Sequence, residues 1–180
     1  MMVVDIYRPD QWHDFFVMVG GGAAALTGLV FVALSLNLEM IAKDATHRYR
    51  AIGTLAGFTA AFIICALVLM GNQNHLVVGI EWLVVSIIAA VIYVNGYIHT
   101  RKTGRSSAGL RLNRLVGYTA CYIAEIVGAI LLILGYIAGL YVAAIAMTSL
   151  LAFMISGAWF LIVGVYRDQV NQHTGKTEKK

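Results

Sequence analysis

Charge is scarce in this chain. Only 12 % of its 180 residues are Asp, Glu, Lys or Arg, while 60 % are apolar, and a water-soluble domain carries about twice that share of charge. The balance excludes a water-soluble enzyme and a disordered chain. A single proline leaves no room for a proline-rich linker, and two cysteines cannot build a disulfide scaffold. What is abundant is uninterrupted apolar sequence. Its amount matches five bilayer-crossing helices of about 20 residues each, so the expected fold is an all-α, polytopic membrane helix bundle whose solvent is the lipid bilayer.

The net charge of +4 points to topology, not to nucleic acid, because of where the cations sit. Arg8 stands alone near the N-terminus. Lys43, Arg48 and Arg50 follow the first apolar run, Arg101, Lys102, Arg105, Arg111 and Arg114 follow the third, and Arg167, Lys176, Lys179 and Lys180 close the chain. With the N-terminus outside, every cation except Arg8 falls in an inner segment, as the positive-inside rule requires. The expected topology is therefore N-out, C-in.

Span boundaries follow from the charge-free stretches. No charged residue occurs between Phe15 and Leu38, nor among the 41 residues from Ile126 to Tyr166. The second stretch would make a helix of about 62 Å, twice the hydrocarbon thickness, so it must turn back. Gly135, Tyr136, Ile137, Ala138 and Gly139 supply the glycines for a hairpin. The expected spans are 15–39, 51–71, 76–99, 115–134 and 140–166, one transmembrane domain over 1–168 followed by a basic inner tail at 169–180. Trp12, Trp82, Tyr136 and Tyr141 then form an outer aromatic belt, and Tyr49, Tyr97, Tyr118 and Tyr166 an inner one. The first run is too long, and lacks the basic flank, for a cleaved signal peptide.

Within the membrane, Glu125 stands out. It is the midpoint of the interval Leu115 to Gly135, where an ionised carboxylate costs about 2.5 to 3.5 kcal/mol or more, so it is expected to be neutral, paired or facing water. A hairpin centred on residue 137 sets position 125 opposite Ser149, beside Thr148. Glu125 is thus either a protonated hydrogen-bonding link between helices or a proton- or cation-handling group in a wet path. Glu39 stands at the inner mouth of the first span with Ser35 and Asn37. On the same span Gly20, Ala24 and Gly28 form a small-residue stripe, read as a close helix contact within or between subunits, or as a pore lining. Glu81, Asn72 and Asn74 form an outer polar cluster that attracts cations as a vestibule, or that merely reaches water.

Several apparent motifs fail on context. Gly20, Gly22 and Ala25 fit a dinucleotide fingerprint but open a membrane helix, not a strand–helix turn. Gly175, Lys176 and Thr177 lack the leading glycine of a phosphate loop, since position 170 is Val170. Val116, Gly117 and Tyr118 lack the flanking residues of a potassium filter, which here are Leu115 and Thr119. No local spacing provides a metal site or a cofactor site, and Cys65 and Cys121, expected at different depths, are packing residues.

The stretch Trp12, His13, Asp14, Phe15, Phe16 through Leu26, Thr27, Gly28, Leu29, Val30, Phe31, Val32, Ala33, Leu34, Ser35, Leu36 and Asn37 resembles the opening of small bacterial multi-spanning membrane proteins of unassigned function. The resemblance implies a bacterial inner membrane and brings no activity, ligand or catalytic residue. Two functions fit the residues. One is a homo-oligomeric ion or proton channel or small transporter with Glu125 and Glu39 on its path. The other is a non-catalytic scaffold whose Arg101, Lys102 and Arg105 bind anionic lipid head groups or a cytoplasmic partner. An enzyme is not expected, because no nucleophile–base pair or ligand set occurs at workable spacing.

Overall fold

A computed structural model describes residues 9–43, 45–71, 73–102 and 108–177. The chain runs through six helices: α1 (Pro9–Leu36), α2 (Leu38–Lys43), α3 (Ala45–Val68), α4 (His75–Lys102), α5 (Ala108–Ile133) and α6 (Ile137–Thr177). No strand occurs among the described residues. All but the short α2 are long and apolar enough to cross a membrane, as a multi-pass membrane protein requires.

Local sequence explains where the helices begin and end. Pro9 opens α1 with Asp10 in its first turn, the positions where a missing N–H and a negative charge are tolerated best. The single helix expected over 15–39 is interrupted. Asn37 leaves the helical path, its N–H bonds to Leu34 O at 3.1 Å, and its side-chain Nδ2 donates to Ala33 O at 2.9 Å, so carbonyls left open at the end of α1 are satisfied locally and α2 starts afresh. Asn74 caps α4, its Oδ1 accepting from Val77 N–H at 2.9 Å. At the end of α5, Gly135 has φ 82°; Tyr136 N–H reaches Leu131 O at 2.9 Å and Gly135 N–H reaches Leu132 O at 3.0 Å. This is a Schellman ending with glycine in the left-handed position. It reverses the chain within three residues. At the far end α6 does not stop at its span but continues helical through Thr177, so most of the segment expected to be a separate tail extends this helix.

The spans pack as a ring. Helix α3 contacts α4, α4 contacts α5, α5 contacts α6, and α6 returns to α3, while neither diagonal pair, α3 with α5 or α4 with α6, approaches. This is an up-down-up-down four-helix arrangement, with α1 laid mainly against α3 and lightly on α6. One end, here called the turn end, holds the α3–α4 and α5–α6 turns. The other, the loop end, holds α2, the end of α4 and the start of α5. Large apolar side chains turned outward, such as Met18, Leu29, Leu36 and Ile145, are each about two-thirds exposed or more. In water such a surface would aggregate; in lipid it is matched to its solvent.

Closest approach is between α5 and α6. A Cβ added at Gly128 would stand 2.6 Å from Ala143 N, and one at Gly139 would stand 2.5 Å from Gly128 O. The two backbones touch there with no room for a side chain. Gly139, expected in the turn, is thus a packing residue on α6.

Candidate functional site

The buried core divides into two apolar clusters. The first lies toward the turn end and includes Phe16, Cys65, Val78, Trp82, Leu132 and Met147; the second lies toward the loop end and includes Phe58, Tyr118, Cys121, Tyr122 and Met154. Glu125, at 2 % exposure, and Ser86, at 0 %, are buried polar residues within this core. The Ser86 hydroxyl on α4 donates to Glu125 Oε2 on α5 at 3.3 Å. Glu125 is at the centre of the described α5 span, Val116–Ile133, and Ser86 is next to the centre of the α4 span, so the pair sits at mid-depth.

The immediate surroundings are polar but uncharged. Cys65 reaches the site from α3, and Cys121 and Tyr122 from α5, all close enough to feel a charge on Glu125. Both cysteines are free. No salt bridge to Glu125 occurs among the described residues. Two further polar atoms in this part of the core, Tyr122 OH and Trp82 Nε1, are buried without a hydrogen-bond partner, although their residues are only 4 % and 1 % exposed. Leaving such a group unsatisfied costs about 1 to 3 kcal/mol. Among the described residues, no group of three His, Cys, Asp or Glu side chains is placed to hold a metal ion.

Glu125 pairs with Ser86 and not with Ser149 or Thr148. The Thr148 hydroxyl donates to Ala144 O on its own helix at 2.9 Å, and both residues line a groove with Trp12, Phe15 and Tyr141, between α1 and α6. The reason is register. Gly128 faces Ala143, and Tyr118 OH donates to Phe153 O at 2.8 Å; these pairs centre the hairpin between Gly135 and Tyr136, ahead of the expected residue 137. Position 125 is therefore level with Ala146, not Ser149, a displacement of about 4.5 Å along α6.

The other expected site residues are scattered. Ser35 is exposed and donates to Phe31 O at 2.8 Å, and Asn37 serves the end of α1; Glu39 is exposed on α2. None of these is drawn to Glu125. In the cluster expected on the outer side, Gln73 Nε2 donates to Glu81 Oε2 at 3.0 Å, Asn74 is occupied as the α4 cap, and Asn72 lies outside the described residues. Arg105 also lies outside them, as do the side chains of Arg101 and Lys102. Trp82 and Tyr118, expected in the aromatic belts, are buried in the core, whereas Tyr136 and Tyr141 are exposed at the turn end.

The small-residue stripe resolves into one contact. A Cβ at Gly20 would lie 2.8 Å from Cys65 Cβ, but Ala24 is exposed and Gly28 has open space around it. Successive steps of four residues advance about 40° beyond a full turn, so Gly28 is rotated about 80° from Gly20. The face of α1 that packs is Phe16, Val19, Gly20, Ala23 and Val30. Gly28→Leu is accordingly expected to leave the thermal unfolding of the protomer in detergent unchanged. Loss of a larger assembly in the same variant, read by light scattering, would identify that face as a contact between copies.

Sequence reasoning found Glu125 and missed Ser86. The signal available for Ser86 was a lone hydroxyl at the centre of an apolar run, which many membrane helices carry bonded back to their own carbonyls. Comparison with protein-family models, curated proteins and solved structures found no match, so function is argued from this geometry alone.

Proposed function

We propose that the protein is a multi-pass transport protein of a bacterial inner membrane that moves protons or small cations, with Glu125 as the group that takes up and releases the charge. The observation that carries this reading is a carboxylate at mid-depth, between two apolar clusters, held by one neutral hydroxyl and opposed by no cation among the described residues. A carboxyl group needed only as a link between helices is expected to have more of its hydrogen-bonding capacity used. One left nearly unbonded is free to change protonation state without breaking a network. Ionisable residues in membrane interiors are costly and are concentrated on ion and proton pathways.

The charge distribution supports an N-out, C-in orientation, with Glu39 on the inner side and the basic α4–α5 loop facing anionic lipid. A homo-oligomer in which copies complete the path is part of the same reading. The protein is not proposed to be an enzyme. The test is proton flux into liposomes containing the purified protein, driven by a potassium diffusion potential and read with an enclosed pH dye. Flux above that of protein-free vesicles is expected. Its absence from well-folded protein, with no sodium or potassium flux in the same vesicles, would overturn the transport reading and favour a non-catalytic scaffold working through the basic inner face.

A further inference from the structure

The two sides of Glu125 differ in what they could carry. Toward the turn end the core closes with Trp82, Phe16, Val78, Leu132, Leu140 and Met147, none more than 1 % exposed. Phe16 packs on Trp82 with ring centroids 5.9 Å apart. The polar atom in this plug, Trp82 Nε1, is a donor without a lone pair to accept with, so it cannot hand a proton onward. Toward the loop end lie three tyrosines; a phenolic hydroxyl can donate and accept at once, and that of Tyr118 already donates to Phe153 O. Tyr122 stands one turn before Glu125 on α5, and its hydroxyl is buried without a hydrogen-bond partner. Tyr93 from α4 rests against both of the others, with ring centroids 5.0 Å from Tyr118 and 5.7 Å from Tyr122.

We propose that in the conformation described Glu125 exchanges its proton with the loop end only, through the hydroxyls of Tyr122 and Tyr93 bridged by bound water, while the aromatic plug closes the turn end until a rearrangement of the bundle opens it for net transport. The proposal deepens the transport reading and rests on it. Its second leg is the unpartnered Tyr122 hydroxyl, buried beside the carboxyl group. Buried polar groups left without a protein partner recruit ordered water, and a site with several polar neighbours is where water stays. Each relay step is a simple transfer. Glu125 gives a proton to the adjoining water, that water gives another to a tyrosine hydroxyl as the hydroxyl releases its own onward, and nothing is oxidised or reduced.

The groups facing Glu125 make the relay the available route. Cys65 is the ionisable group from α3, and Cys121 and Tyr122 are those from α5, while Tyr93 on α4 rests against Tyr122. Helix α6 carries no acid, base or thiol from Val142 to Ala158.

The experiment uses full-length protein in liposomes of uniform orientation, with sidedness fixed by trypsin access to the terminal lysines. Infrared spectroscopy follows the carbonyl band of protonated Glu125, identified by its disappearance in Glu125→Gln, after a pH jump on one side. The band is expected to respond about tenfold faster, about 1.4 kcal/mol in barrier terms, to a jump at the loop end. Tyr122→Phe, and independently Tyr93→Phe, should slow that response without moving its end point, while Tyr136→Phe at the exposed turn leaves it unchanged. Equal response from both sides, or unaltered rates in both folded Phe variants, would overturn the one-sided relay and leave the transport reading standing. A band that changes at no pH would overturn both.

Discussion

Glu125→Gln is expected to lower proton flux through the reconstituted protein by about tenfold or more, an increase of at least about 1.4 kcal/mol in the barrier, while leaving its folding intact. Glutamine has the same length and shape, and its amide oxygen can still accept the Ser86 hydroxyl that now reaches Glu125 at 3.3 Å. What it cannot do is bind or release a proton near neutral pH. The substitution therefore separates the two roles open to a buried carboxyl group. If Glu125 only links α4 to α5, the glutamine variant keeps the link, and flux and its pH dependence stay as in wild type. Dye-monitored flux at several pH values, with thermal unfolding measured on the same samples, distinguishes the cases. Unchanged flux in the variant would remove Glu125 from the path.

Gly128→Leu is expected to be the most damaging single change to the fold. A first side-chain carbon at Gly128 would already meet Ala143 N at 2.6 Å, Ala143 Cβ at 2.7 Å and Gly139 O at 2.8 Å. Two of these three are backbone atoms, which cannot swing aside as a side chain could. The helices must separate instead. Overpacking a core typically costs about 1 to 3 kcal/mol, and more where backbone has to move, so a loss at or above about 3 kcal/mol is anticipated. Its readout is a lowered thermal midpoint or loss of a monodisperse peak in detergent. Because Gly128 is one turn from Glu125, displacement of α5 would also pull the carboxyl group away from Ser86. Gly28→Leu is the control, the same substitution at a position with open space. Comparable damage from both would contradict the packing described here.

Much of the architecture was legible because charge is so sparse. Interruptions such as Arg48 and Arg50, or Arg101 and Lys102, are costly within the hydrocarbon, and the stretches between them mark out five apolar helices. Glu125 was legible for the same reason, as a lone carboxylate midway along an apolar run. Which way it faces was not. In a helix where nearly every position is apolar, periodicity marks no inward side, so neither Ser86 as its partner nor Trp82 as a core residue followed from the sequence. The hairpin shows how small an error misassigns a contact. Placing its centre at residue 137, when the Schellman turn puts it between Gly135 and Tyr136, exchanges Ala146 for Ser149 as the residue level with Glu125. The small residues Gly20, Ala24 and Gly28 misled in a similar way, since a four-residue repeat drifts around a helix of about 3.6 residues per turn.

The turn at Gly135 also bears on how the chain enters the membrane during synthesis. Helix α5 has the lowest mean hydropathy of the five spans, 1.9, and it carries a carboxyl group at its middle. Alone, it is the span that an insertion machinery would hold least securely. Only Leu134, Gly135 and Tyr136 separate it from α6, whose span has mean hydropathy 2.1. So short a connection cannot let one helix settle in lipid while the other waits in water. Helices α5 and α6 are therefore expected to enter as one unit, the stronger span carrying the weaker, before Glu125 meets Ser86 of α4.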